Sequence, residues 1–116
     1  MLVPVTGKDS EGYPYTKDGA EAVYVIAFRQ KCILYFEKGE PLIYGYPLNY
    51  FHQKVYETNL FRRLDRSYLV KIGKVIKRRA RKAILSSTLF LKLGRKANKK
   101  LKYYLAKFQQ SSSVKK

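Results

Sequence analysis

Apolar and cationic positions alternate most regularly over Phe61-Arg62-Arg63-Leu64-Asp65-Arg66-Ser67-Tyr68-Leu69-Val70-Lys71-Ile72. Phe61, Leu64, Tyr68, Val70 and Ile72 can pack inward while Arg62, Arg63, Arg66 and Lys71 stay in water, the pattern of a half-buried β-segment entered by a polar turn. Upstream, residues 22–28 and 32–36 are β-branched and aromatic enough for two strands, joined by the short polar connection Arg29-Gln30-Lys31. Glu37-Lys38-Gly39-Glu40 supplies a turn with Gly at a site suited to positive φ, and residues 42–44 return as a third strand of an antiparallel meander. Asn49 is an acceptable N-cap after Pro47, and Leu48, Phe51 and Val55 follow at helical spacing, which predicts a short helix ending near Asn59.

Beyond Gly73, a basic hairpin is expected between a strand starting at Val75 and another at residues 83–85, then a turn at residues 86–88 and a last strand at 89–93. Helical periodicity then takes over, with Ala97, Leu101, Tyr104, Leu105 and Phe108 on one face and Lys96, Lys99, Lys100 and Lys102 largely off it. Residues 1–19, with Pro14 and two Lys-Asp pairs, read as a lead-in arm or long loop. Residues 20–108 form the domain, and 109–116 should be a mobile tail with nothing to bury. The fold class is mainly β, of the α+β type.

Charge changes the picture. Residues 1–50 carry five Lys/Arg and six Asp/Glu, whereas residues 51–116 carry twenty Lys/Arg and two acids, so the whole +17 comes from the second half. Such an excess calls for a polyanionic partner, with nucleic acid first and an anionic membrane surface second. At 116 residues there is room for one core and not two. The single cysteine, Cys32, sits in an apolar run and reads as a buried thiol in a chain expected in the reducing cytoplasm. No apolar run approaches the ~20 residues that span a bilayer, and the first residues lack the pattern of a secretory signal.

Catalysis is not expected. The chain has no Gly-rich phosphate loop, no Cys/His metal cluster and no acid pair in an apolar segment, and its one histidine, His52, has neither a second ligand nor an acid in register. No cofactor, metal or small-molecule substrate is anticipated. The last helix carries mostly Lys, which suits phosphate as a point charge. The arginines suited to bidentate base reading (Arg29, Arg62, Arg63, Arg66 and Arg95) lie in or beside expected inter-strand connections, which favours contact through loops.

The string Phe61-x-Arg63-x-Asp65-Arg66-Ser67-Tyr68-Leu69-Val70-Lys71-Ile72 resembles the signature of LytTR DNA-binding domains, F-x-R-x-H-R-S-Y-L-V-N plus an apolar residue, with Asp65 and Lys71 where the family has His and Asn. Val23-Tyr24-Val25-Ile26-Ala27 is similar to the family's early I-Y-I-E-A strand, and Leu91-Lys92-Leu93-Gly94-Arg95-Lys96 to its closing l-P-l-S/G-R motif. The resemblance covers roughly residues 20 to 105. It implies an elongated stack of small antiparallel sheets with one short helix in the middle and one at the C-terminus, a bacterial transcription regulator, and loops inserted into successive major grooves of double-stranded DNA.

Carried over by position, Arg66 and Arg95 read bases, and Ser67 and Lys96 contact phosphate. The first loop's base contact falls among Arg29, Gln30 and Lys31. Arg63, Lys71 and Lys99 are further phosphate candidates from their charge and place. Asp65 either repels phosphate or orients Arg66. Two copies on paired direct repeats are plausible by the same resemblance, and a protein partner is left open. Two other classes fit the charge: an RNA-binding protein of ribosomal type, which exposed aromatics would support, and a structural or membrane-surface protein whose basic helix lies on anionic lipid. Most of the eleven tyrosines lie in apolar alternation and so read as core.

Overall fold

The computed structural model describes residues 2–86 and 89–114, with the side chains of those up to 108. Ten strands and two α-helices follow one another as β1 (Pro4–Lys8), β2 (Pro14–Asp18), β3 (Ala22–Phe28), β4 (Lys31–Phe36), β5 (Leu42–Tyr44), α1 (Leu48–Val55), β6 (Phe61–Arg63), β7 (Tyr68–Lys71), β8 (Lys77–Arg79), β9 (Lys82–Ile84), β10 (Phe90–Lys92) and α2 (Arg95–Val114). One sheet has seven strands in the order β2-β1-β5-β4-β3-β7-β6 and a second has three in the order β10-β9-β8. Every pairing is antiparallel.

The body is elongated, 43 × 29 × 26 Å. The small sheets expected upstream of β8 are instead joined into a single large one. The difference lies in the segment expected as an arm or long loop, in which residues 4–18 fold as the β1–β2 hairpin, and β1 joins β5 through Lys8 opposite Ile43. Pro4 and Pro14 open their strands, where a missing N–H costs least. Gly7 is required at the junction, because a Cβ there would collide with the Ile43 carbonyl and the Leu42 side chain. Asp18 closes the hairpin by accepting from the N–H groups of Val3 (2.8 Å) and Ala20 (3.0 Å).

Both faces of the large sheet are covered, so the apolar interior is divided into two clusters where a single core is expected from chain length. Val25, Leu34, Phe51, Val55, Phe61 and Leu69 form one core under α1, while Val70, Ala83, Leu91, Ala97 and Leu101 form another against the small sheet and α2. A register shift between Ala22 and Tyr24 places Val23 and Tyr24 in the same core despite being neighbours. The short helix starts one residue before its expected cap: Pro47 is the N-cap without a side-chain bond, and Asn59, in the left-handed region (φ 57°), ends the 3-10 turn that follows. Helix α2 runs to Val114, past Gln109 where a mobile tail is expected; Lys115 and Lys116, like Ser87 and Thr88 of the expected turn, lie outside the described residues.

Two hairpins turn in two residues and put the first of them at positive φ: Arg29 (58°) between β3 and β4, and Ala80 (54°) between β8 and β9. A side chain in that region costs about 1–2 kcal/mol that glycine does not. Ala80 is exposed, so Ala80→Gly should stabilise the fold by about 1 kcal/mol after the added unfolded-state freedom is subtracted. A higher midpoint in urea unfolding with an unchanged slope is the expected readout.

Candidate nucleic-acid interface

The segment between β6 and β7 is Leu64 followed by the loop Asp65-Arg66-Ser67, which is closed by the Leu64 N–H donating to the Tyr68 carbonyl (2.9 Å). Its shape comes from two side chains. Asp65 Oδ1 accepts from the N–H groups of Ser67 (2.7 Å) and Tyr68 (3.1 Å), an Asx turn that resolves its role in favour of building the loop. Arg63 grips the loop from beneath, with Nε donating to the Asp65 carbonyl (2.7 Å), Nη2 to the Arg66 carbonyl (3.0 Å) and Nη1 to Asn49 Oδ1 (2.7 Å) at the start of α1. Burial pushes its pKa down, against Asp65, which pulls it up. The Ser67 carbonyl accepts from Ala27 N–H (2.8 Å), tying the loop to β3.

Arg66 sits at the exposed tip of this braced loop, and among the described residues nothing bonds its guanidinium. Ser67 is half-buried beside it. An open cleft of about 710 Å³ separates the loop from α2 and is lined by Asp65, Arg66 and Ser67 on one side and Lys96, Lys99, Lys100 and Tyr103 on the other. A second, of about 520 Å³, joins Arg66 to Arg29 through Pro47, Asn49 and Arg63. Arg29, Arg66 and the first turns of α2 therefore border one run of surface. Arg95, exposed as the first residue of α2, lies one position from Lys96.

Several expected sites are placed differently. Lys71 is not a phosphate contact: it is buried, its Nζ donates to the Ala20 carbonyl, and it lies 5.4 Å from the Phe61 ring centroid. Burial lowers its pKa, Lys74 adds to this, and Asp18, Glu21 and Glu37 oppose it. Arg63 is likewise committed to the loop rather than free for phosphate. Gln30 and Lys31 are exposed on the β3–β4 tip but line neither cleft, and Arg29 rests 5.6 Å from the Phe28 ring.

The sequence reading missed Lys100 and Tyr103 as members of the Arg66 cleft and Asn49 as a brace. The spacing of Lys96, Lys99, Lys100 and Tyr103 along one helical face was the available signal. The basic hairpin abuts the same helix through Arg78 Nη1 to Asn98 Oδ1 (3.3 Å), and the segment leading into that helix through Leu93 N–H to the Arg81 carbonyl (2.7 Å). Among the described residues no group of three His, Cys, Asp or Glu could hold a metal, and no helix is long and apolar enough to cross a membrane. His52 is half-buried, and burial, with Arg63 and Arg62, lowers its pKa.

No protein-family profile and no curated protein matches the chain in sequence. Among solved structures, a LytTr DNA-binding domain of a Bacillus cereus protein superposes over 87% of this chain and 92% of its own, with TM-score 0.62 at 15% identity. The fold is that of a LytTR domain. In this LytTR fold the signature string runs from β6 through the braced loop into β7, and the closing motif runs from β10 into the first turn of α2. Two of the three stretches that carry the resemblance in sequence thus flank the same cleft.

Proposed function

We propose that the chain is a DNA-binding transcription regulator that recognises specific sequence in double-stranded DNA through its inter-strand loops, and that it acts in the cytoplasm without catalysis. The observation that carries this is Arg66: a fork of donors with no partner among the described residues, at the tip of a loop whose backbone is fixed by Arg63 and Asp65. A stiff support limits the entropy lost on contact, and a guanidinium matches the O6 and N7 edge of guanine. Arg95 and the Arg29 tip supply the other reading positions, while Ser67, Lys96 and Lys99 take phosphates. Two copies on paired direct repeats belong to the same reading.

Selection from a random duplex library supplies the test. A recovered motif should contain two short read-out elements about one helical turn apart. On that motif, Arg66→Ala and Arg95→Ala should each cost about 1–3 kcal/mol at one base position, whereas Lys99→Ala should weaken cognate and scrambled duplexes alike and reduce the salt slope by about one. Unchanged cognate preference in both Arg variants would refute the assignment.

One observation favours the RNA reading. Tyr13, Tyr46, Tyr50, Tyr56 and Tyr103 are exposed rather than core, which supplies the aromatic faces that base stacking needs. Tyr46 and Tyr50, however, stack on each other with centroids 4.6 Å apart. Comparing duplex DNA, structured RNA and single strands at one salt concentration separates the two.

A further inference from the structure

A third cleft, of about 640 Å³, shares no residue with the Arg66 cleft. Its walls are Leu60, Ile72, Tyr104 and Phe108, between the residues preceding β6, those following β7, and the later turns of α2. Leu60 and Phe108 are 44% and 47% exposed, large apolar groups left in water on this concave surface. The Phe108 ring lies over Gly73, where a Cβ would stand 3.5 Å from its Cζ, so the absent side chain keeps the cleft open beside the ring.

The charged lining is cationic. Arg62, Lys74 and Lys107 border the cleft with the neutral Asn59, the buried Lys71 lies at its base, and among the described residues no carboxylate lines it. Arg62 is fixed by Nη1 donating to the carbonyls of Phe61 (2.9 Å) and Asn59 (3.2 Å), which leaves its remaining N–H groups without a partner among the described residues. Lys74 is held 3.1 Å from Glu37, outside the cleft lining, and Lys107 lies 5.6 Å from the Tyr103 ring. A nucleic-acid backbone would satisfy the cations but has no use for the apolar walls. A neutral apolar ligand would fill the walls but leave the rim unpaired.

We infer that this cleft binds a small amphipathic anion, a hydrophobic body of medium-chain or aromatic type carrying one carboxylate or sulfonate. The body lies against Ile72, Tyr104 and Phe108 and the anionic head meets Arg62 and Lys107. The volume falls in the range of small-molecule sites, roughly 300–1,000 Å³, where apolar walls and a few polar groups divide affinity from orientation. The inference stands on different residues from the DNA reading, so either can fail alone.

The test uses the full chain, with decanoate, decanol and 8-anilinonaphthalene-1-sulfonate as probes and phosphatidylglycerol vesicles as a separate arm. Decanoate should bind saturably at one site, about tenfold tighter than decanol, and shift the amide signals of Ile72 and Gly73. Phe108→Ala should weaken both probes, and Arg62→Gln should abolish the preference for decanoate while decanol binding stays the same. Lys107→Gln, at an exposed helix position, repeats the charge test if Arg62→Gln loses its native circular dichroism. Arg66→Ala should change none of these. The inference is overturned if decanoate and decanol bind equally, if the dye response survives in the Phe108 and charge variants, or if association is seen only with vesicles.

Discussion

Arg63→Ala should unfold at markedly lower denaturant, by roughly 3 kcal/mol, and lose sequence discrimination while keeping salt-dependent attraction to any duplex. The guanidinium spans three acceptors: the Asp65 and Arg66 carbonyls and Asn49 Oδ1. Removing it leaves the partly buried Asp65 carbonyl without its donor, while the exposed Asn49 amide and Arg66 carbonyl turn to water, and each charge-assisted bond is worth about 1.5–3 kcal/mol. The same bonds hold the Arg66 backbone against α1, so the loop loosens where it must be stiff. Lysine cannot restore this, because a single ammonium does not present a planar fork to acceptors on three sides. Arg63→Lys should therefore behave nearly like Arg63→Ala. Urea unfolding and anisotropy on cognate and scrambled duplexes measure both effects, and a variant with wild-type stability and preference would show that the brace is dispensable.

Arg63 also marks where the sequence stopped being legible. Alternation around Phe61 and Tyr68 placed β6, β7 and the turn between them, because strand period and turn chemistry are local properties. Likewise Gly39 lies at φ 94° in the expected turn, and Leu101 and Ala97 lie fully buried on the expected face of α2. The use of each cation was not local. An in/out reading assumes one wet face, whereas β7 has Leu69 in one core and Val70 in the other. Lys71, next in the alternation, consequently points into protein rather than water.

The β1–β2 hairpin was hidden for a related reason. It sits at the sheet edge with mostly exposed or half-buried residues, so its strands show no apolar alternation, and its prolines and glycine imitate a loop. The tyrosines misled in the opposite direction. Strand-like spacing placed most of them in the core, and Tyr24 and Tyr44 are buried with Tyr15, Tyr35, Tyr68 and Tyr104 packed against the cores, yet Tyr13, Tyr46, Tyr50, Tyr56 and Tyr103 are exposed, because an aromatic ring can cover a surface while its hydroxyl stays wet. Clefts that join residues far apart in the chain, such as Arg66 with Lys96, need the tertiary fold and leave at most a helical spacing as trace.

Alkaline unfolding should be steep between pH 9 and 12. Burial pushes the Cys32 thiol from 9.0 up to about 12. It does the same to the Tyr24 and Tyr44 phenols from 10.0, with Tyr35 adding to the first and Tyr50, Tyr46 and Cys32 to the second. Each group is neutral in both states below its unfolded value, so its contribution to stability is fully present there. Above that value the unfolded chain ionises while the folded one does not, and stability falls until the folded group ionises near pH 12. At 1.36 kcal/mol per pH unit, each group gives up on the order of 2–4 kcal/mol, and the three together rival the whole stability of a small domain. Lys71 acts oppositely: its lowered folded value means that raising the pH toward 10.5 relieves a cost of burying the charged form, a smaller effect on one side chain. Replacing Cys32 by Ala and Tyr24 by Phe should therefore flatten the decline in urea midpoint from pH 9 to 12. Parallel curves for the variants and the wild type would show that these groups reach water before the fold opens.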